Sequence, residues 1–475
     1  MRRSLRFLAV ILSLVLLATA CAKEADSDPL AVEGDFDSDV GGVGKIAPGT
    51  GLGDDDAPSS DDVVEAALLD TEAFWERNYE DIFGDPYEPI AGGFWAYGPD
   101  TEQPPCGEPA PEYSDIAENA FYCPSDDLIA WDNELLVPPM YEEFGGFTIG
   151  IVFAHEFGHA IQERAGIVGD TIMTELQADC FAGAWTSDVE SGNSDYFELE
   201  LEDLDRAVAG FLELRDTVGT SATDEAAHGT GFDRIGSFVE GYEQGLERCA
   251  EYPDAYLEGQ LVITEVSFTD PADFERGGDL PLSDIADLAI RDLEDFWSVV
   301  FAELGETWSP VTDVVAVDPE VDEVTCGDIT LSGDDLVNAS FYCIDDDQVY
   351  IDAVNLVTSL YEIGDYAVAT ELARQYAYAA QVRLGNLENN LASNLQADCF
   401  AGLYASSGFL VNRENQELIL SPGDLDEAVI AFLFTSDEAS SEDLGVGTAF
   451  QRFDAYRTGF VDGLEACEEI LEGGS

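Results

Sequence analysis

The chain has 475 residues, with 18 Lys and Arg set against 100 Asp and Glu, for a formal net charge of −82 at pH 7. So acidic a surface repels polyanions, which excludes nucleic acid as a partner, and its self-repulsion opposes the compact state unless salt screens it. The length allows two domains of ordinary size, each able to bury a core.

At the N-terminus Arg2, Arg3 and Arg6 flank an apolar run from Phe7 to Leu17 that only Ser13 interrupts. Its length and flanks are those of a secretory signal, too short to span a membrane comfortably. The run ends in Ala18-Thr19-Ala20-Cys21, which resembles a bacterial lipobox. This predicts a lipoprotein-type signal over residues 1–20 and lipidation of Cys21, with an ordinary signal cleaved nearby as the alternative. The expected location is the bacterial cell envelope, lipid-anchored on the outer face of the cytoplasmic membrane, or secreted. Loss of residues 1–20 would remove three arginines and no acids, leaving 15 basic against 100 acidic residues, or −85. Residues 21–60, rich in Asp, Gly, Ser and Pro and without apolar periodicity, read as a flexible acidic linker. They hold the only lysines, Lys23 and Lys45, and a saline habitat or a generic solubilising face would each explain the composition.

Helical periodicity predicts helices over Asp61 to Phe83, Phe147 to Ala165, Met173 to Ser187, Leu201 to Leu214 and Phe232 to Cys249. The last of these places Phe232, Ile235, Val239, Tyr242 and Leu246 on one face. Between the first two, Asn119 to Cys123, a polar turn and Leu128 to Trp131 read as a β-hairpin. Gly166 and Gly169 close the second helix. The landmarks then recur: Phe74-Trp75 as Phe296-Trp297, Phe121-Tyr122-Cys123 as Phe341-Tyr342-Cys343, and Leu176 to Gly183 as Leu395 to Gly402. Order and spacing are kept, so the chain is a tandem duplication, with domains expected over residues 61–260 and 280–475. The fold class is α+β and mostly helical.

Apart from Cys21, each copy carries four cysteines: Cys106, Cys123, Cys180 and Cys249, then Cys326, Cys343, Cys399 and Cys467. In an exported chain disulfides are the default. The expected pairs are Cys106 with Cys123 and Cys180 with Cys249, and their counterparts, although four cysteines permit three connectivities.

Two of the three histidines fall in His155-Glu156-Phe157-Gly158-His159. Residues four apart share a helix face, so both imidazoles can reach one metal ion, and Glu156 can face an open coordination position. The flanks Ile149, Ile151, Val152, Phe153, Ala160 and Ile161 bury this helix, where two imidazoles and a carboxylate are costly unless a metal satisfies them. Glu175 and Asp179 follow, four apart on the next helix. The preferred assignment makes Glu175 the third ligand and Asp179 an acceptor for a ligand imidazole N–H; the reverse is the alternative. In the second copy the positions of His155, Glu156, His159 and Glu175 read Arg374, Gln375, Tyr378 and Asn394, whereas Asp179 persists as Asp398. One zinc ion is therefore expected, in the first domain, and Arg374 is expected to pair with Asp398 in place of a metal. His228 is replaced by Val446 in the second copy; it reads either as a loop residue capping the helix from Phe232 or as a donor to a transition-state oxyanion.

His155 to His159, Glu175 to Trp185, the His228 to Gly231 loop with Arg234, and Cys106 with Phe121-Tyr122-Cys123 together resemble the bacterial family of putative neutral zinc metallopeptidases. The resemblance covers most of the first domain. It implies a zincin-like fold, zinc on His155, His159 and Glu175, and Glu156 as the residue that takes a proton from water and passes it to the leaving amine of a peptide or protein substrate. By zincin analogy, the strand near Leu128 to Asp132 is expected to pair with extended substrate. The second domain, without the ligands, is expected to be inactive and to bind or scaffold, with an envelope protein as one conceivable partner. A competing reading is an envelope-anchored binding module whose zinc is structural or vestigial, sealed by His228 as fourth ligand. A third, a cation-binding coat, has no Asp-rich loop at calcium spacing to support it.

Overall fold

The computed structural model describes residues 45–47, 50, 57–221, 227–268, 271–386, 388–437 and 445–473. The expected signal segment and Cys21 lie outside them. The first half runs α1 (Ser60–Phe83), β1 (Gly93–Tyr97), α2 (Tyr113–Ile116), β2 (Ala120–Cys123), β3 (Leu128–Asp132), α3 (Val137–Phe144), α4 (Gly146–Ala165), α5 (Thr171–Glu190), α6 (Leu201–Glu213), α7 (Gly231–Ala250) and α8 (Tyr252–Leu257). Helix α1 starts where Ser59 and Asp62 form a reciprocal capping box. Ahead of it the linker is not wholly free. Ile46 is buried, bridges to Phe197, and exchanges backbone hydrogen bonds with Tyr196 and Glu198. This single apolar side chain, set in a polar stretch, docks by burial, with no periodicity to announce it.

The expected hairpin is present as β2 and β3, and a third strand joins it. β1 pairs in parallel with β3, giving the order β1-β3-β2. Strand β3 is therefore central and paired on both sides, and β2 is an edge. The expectation that the Leu128 to Asp132 strand offers itself to substrate is corrected by this topology: both of its backbone edges are already engaged.

The second half repeats the plan after a short connecting helix, α9 (Pro271–Arg276). It runs α10 (Leu282–Glu303), β4 (Asp313–Val317), β5 (Glu323–Cys326), β6 (Ile329–Ser332), β7 (Ser340–Cys343), β8 (Gln348–Asp352), α11 (Leu356–Ile363), α12 (Asp365–Leu384), α13 (Leu391–Leu410), α14 (Asp424–Asp437), α15 (Ala449–Val461) and α16 (Leu464–Gly473). Its sheet has the order β4-β8-β7, the same plan, and β5 with β6 form an added hairpin. The protein is thus mostly helical, with small sheets, in two tandem domains.

In both halves the two central helices touch backbone to backbone. A Cβ on Gly241 of α7 would meet the Cys180 carbonyl oxygen of α5 at 1.8 Å, and one on Gly459 of α15 would meet that of Cys399 on α13 at 1.8 Å. Disulfides Cys180–Cys249 and Cys399–Cys467 tie helices α5 and α13 to the chain beyond, while Cys106–Cys123 and Cys326–Cys343 anchor the sheet edges. Trp75 packs edge-on against Phe181 at 5.2 Å, and its counterpart Trp297 against Phe400 at 5.4 Å. One apolar core runs through both domains.

The domains dock by a reciprocal contact. Asp205 of α6 accepts hydrogen bonds from the Ala449 and Phe450 amides at the start of α15, at 3.1 and 2.8 Å. Asp426 of α14, the equivalent residue, accepts from Phe232 N at the start of α7 at 2.8 Å. Phe232 meets Phe460 at 5.0 Å and Tyr242 meets Phe450 at 5.3 Å across the same seam. Among the described residues no helix is long and apolar enough to cross a membrane.

Candidate metal centre

Helix α4 is buried along most of its length and ends at Gly166, whose left-handed conformation (φ 67°) stops it. Gly158 lets α5 approach: a Cβ there would come within 2.9 Å of Ala178 Cα. This contact brings Glu175 and Asp179 of α5 against the histidines of α4. His155 Nε2 and His159 Nε2 point at each other 3.1 Å apart. Glu175 Oε2 lies 3.3 Å from His155 Nε2, and Oε1 lies 3.5 Å from His159 Nε2. The three candidate ligand atoms all fall within 4.8 Å of one another.

Groups outside this trio hold the rings. Asp179 Oδ1 is 2.7 Å from His155 Nδ1, and Asp179 also accepts two bonds from Arg234, Nε to Oδ2 and Nη2 to Oδ1, each 2.9 Å. Gln162 Oε1 is 3.0 Å from His159 Nδ1, and its amide nitrogen donates to Thr174 O at 2.6 Å, linking α4 to α5 again. The second ring nitrogen of each histidine is thus occupied by an acceptor, which turns Nε2 of both toward Glu175.

Glu156 lies beside the trio and accepts from the Tyr122 backbone amide of β2 at 2.8 Å. Burial pushes its carboxyl above the usual range, against the opposing pull of His155 and His159. Burial also opposes ionisation of Glu175, but the facing His159 and His155 rings outweigh it and hold that carboxyl well below its ordinary value. For His155, burial is outweighed by Asp179 and then Glu175, so the imidazole is pushed up to about 10.

The donor set fits zinc: two imidazole nitrogens and one carboxylate, with nothing harder or softer competing. A specific atom supports the fit. Glu175 Oε2 is buried with no well-formed hydrogen bond, its His155 contact being a long 3.3 Å, a shortfall that coordination would make good. The centre opens on a cleft of about 450 Å³, walled by Leu136, Ile151, Val152 and Phe211, with the buried Arg234 in its lining and the exposed His228 at its rim.

His228 lines this cleft but stays apart from the ligand group, and its side chain is about half exposed. Its Nδ1 lies 3.3 Å from Asp216 Oδ1. The capping alternative is corrected by the structure, because Thr230 is the N-cap of α7 and accepts from Asp233 N. Three contributors escaped the sequence: the Tyr122 amide, Gln162, and Arg234 as the partner of Asp179. Gln162 and Arg234 did leave a signal, persisting as Gln381 and Arg452. In the second domain Gln381 makes the same bond to a helix carbonyl, at Ser393 O, 2.7 Å.

There the equivalent space is filled. Arg374 donates to Asp398 and Glu371, and its Nη2 to Tyr378 Oη at 3.2 Å, which in turn donates to Asn394 Oδ1 at 2.9 Å. Arg452 holds the other side of Asp398 at 3.1 Å.

Among known proteins the chain is similar to the uncharacterized protein Rv2575 of Mycobacterium tuberculosis, 32% identical over 151 residues, covering 26% of this chain and 52% of the relative. It is also similar to the uncharacterized protein YpfJ of Escherichia coli, 29% identical over 150 residues, covering 26% and 50%. The chain spans about half the length of these curated relatives. No solved structure matches it. The model of the family described as "Putative neutral zinc metallopeptidase" matches twice, over residues 9–173 and 275–467, more than half of the chain. The protein therefore belongs to that family, in a tandem two-copy arrangement.

Proposed function

We propose that the first domain is a zinc-dependent peptidase in which His155, His159 and Glu175 hold the ion. The observation that carries this reading is the convergence of those three groups at the base of an open cleft, with Glu156 beside them. When bound, zinc supplies Lewis-acid polarisation of the scissile carbonyl and acidifies water. Glu156 accepts the proton from water and returns it to the leaving amine, and burial, which raises its carboxyl pKa, favours its holding that proton between the two steps. The Tyr122 amide fixes the carboxylate for that task. Asp179 orients His155, and Arg234 keeps Asp179 ionised.

An extended peptide substrate would add along β2, the edge strand of the sheet whose Tyr122 amide already holds Glu156, and so lie beside the metal centre. The apolar wall of Val152, Leu136 and Phe211 would then receive an apolar side chain next to the scissile bond. His228, which lines the cleft, would donate to the developing oxyanion. In the second domain a guanidinium stands where a metal ligand stands in the first, so that domain is inert in catalysis and serves binding or scaffolding. The exported, Cys21-anchored location belongs to the same proposal; radiolabelled palmitate incorporated by the wild type and lost in Cys21→Ser would test it.

The enzymatic reading is tested by digesting a peptide library with the full chain beside Glu156→Gln. Cleavage should require zinc and fall at least about 100-fold in the variant. Equal cleavage by both proteins would overturn the mechanism. Zinc binding without any cleavage would favour the binding module.

A further inference from the structure

Three carboxylates from distant parts of the chain meet where the connector reaches the second domain, and a fourth, Asp424, lies beside them. Asp279 precedes α10, Asp365 opens α12, and Asp424 and Glu427 lie in the first turn of α14. Ligand oxygens of Asp279, Asp365 and Glu427 lie within 4.8 Å of one another. Backbone amides orient the group. Leu280 N donates to Asp365 Oδ2 at 2.7 Å, Asp365 N to Asp279 Oδ1 at 3.1 Å, Tyr366 N to Glu427 Oε2 at 2.8 Å, and Ser421 N to Asp424 Oδ2 at 2.8 Å. These bonds orient the carboxyl groups but bring no cationic side chain to them. Among the described residues no basic side chain forms an ion pair with any of them, and Arg215 pairs instead with Asp426 at 3.3 Å.

Two further observations point to a missing cation. Asp424 is only 5% exposed, and its Oδ1 is buried with no hydrogen-bond partner. Burial, then the charges of Glu427, Asp365 and Asp279, hold its carboxyl well above the usual range, so those three groups lie close enough to act on it. The duplication supplies the second observation. In the first domain Asp203 stands at the position of Asp424, and Glu200 N donates to its Oδ2 at 3.0 Å just as Ser421 N does to Asp424. There, however, Glu427 is replaced by Arg206, which pairs with Asp203, and Asp365 by Gly146. The first domain places a guanidinium where the second gathers carboxylates.

We propose that Asp279, Asp365, Asp424 and Glu427 form a calcium site that fastens the interdomain connector to the second domain. The donors are all carboxylate oxygens, which suit a hard cation and not zinc. Calcium takes oxygens at about 2.3–2.6 Å in irregular shells, and such a shell spans the observed spacing; magnesium, at about 2.0–2.1 Å, needs a tighter octahedron. Gly364 leaves the room required, since a Cβ there would lie 1.9 Å from Glu427 Cδ. Asp426, next to Glu427, accepts from the Phe232 amide in the first turn of α7 of the other domain, so the ion would lie beside the docking seam.

The test is calcium titration of the metal-stripped full chain at physiological ionic strength, followed by calorimetry and by tyrosine-sensitised terbium luminescence. Wild type and Glu175→Gln, which alters only the candidate zinc centre, should each take up one calcium and melt at higher temperature with it. Asp365→Asn combined with Glu427→Gln should weaken binding at least tenfold and abolish the calcium-dependent rise in melting temperature. Its metal-free form should melt above metal-free wild type, because buried like charges have gone. If that double variant does not fold, Glu427→Gln alone should still weaken binding about tenfold. No saturable uptake by wild type, or unchanged affinity in the folded variants, would overturn the proposal.

Discussion

The guanidinium of Arg374 donates through Nε to Oδ1 of Asp398, the oxygen whose counterpart on Asp179 holds the His155 ring in the first domain. A fixed positive charge thus stands where a metal ligand stands in the other copy, and Asp398 remains paired without an ion. Arg374→Ala strips that partner from Asp398 and Glu371 inside the protein. The expected cost is about 3 kcal/mol in chemical denaturation, with zinc content unchanged. A variant as stable as wild type would show that the pair carries no weight.

Asp179 serves two neighbours at once, His155 and Arg234. Asp179→Asn should weaken zinc binding about 10- to 100-fold by loosening the ring it orients, and it should also lower stability by leaving Arg234 half paired. Asp398→Asn, at the equivalent place, should lower stability and leave zinc affinity alone. Competition with a chromogenic chelator separates the two, and equal zinc affinity in wild type and Asp179→Asn would contradict the assignment.

Two carboxyls also meet across the domain seam, Glu243 of α7 and Asp454 of α15. Burial, then the charge of Glu243, pushes Asp454 up to about 7, and burial raises Glu243 as well. Both values exceed those of the unfolded chain, so the folded state binds more protons in this window. Stability is therefore gained as pH falls to 7 and below, and lost as pH rises through it. The melting midpoint should be higher at about pH 6 than at about pH 8, and Asp454→Asn should flatten the difference. An unaltered slope in the variant would remove Asp454 from the account.

Asp205 and Asp426 each accept from first-turn amides of a helix of the other domain. Asp205→Ala and Asp426→Ala should each cost about 1 kcal/mol, in the range of a lost N-cap. Differential scanning calorimetry would read both, and two neutral variants would show that the apolar seam around Phe232 suffices.

The HExxH helix was legible because its apolar flanks repeat at helical spacing and Gly166 ends it; Glu175 was legible because it vanishes from the second copy together with His155 and His159. The tandem plan followed from landmarks such as Leu176 to Gly183 and Leu395 to Gly402. Strand β1 escaped because its parallel partner β3 lies beyond a long excursion, with no turn signal to join them. The same parallel pairing makes β3 central, which is why the expectation for a substrate-binding strand moved to β2. Tyr122 contributes a backbone amide, which no side-chain pattern records. The carboxylates at Asp279, Asp365, Asp424 and Glu427 are scattered along the chain, so a search for calcium-loop spacing passes over them. Ile46 gave no periodic signal, being one apolar residue in a polar stretch.

The central claim is that two imidazoles and one carboxylate of the first domain hold a single zinc ion with a position left for water. X-ray absorption spectroscopy on the zinc-loaded full chain, with zinc counted by mass spectrometry, tests it most directly. One zinc per chain is expected, bound by two histidine nitrogens, a carboxylate and a solvent oxygen, with that occupancy lost in His155→Ala. Two zinc ions per chain, a third histidine in the coordination shell, or full zinc retention in His155→Ala would contradict it.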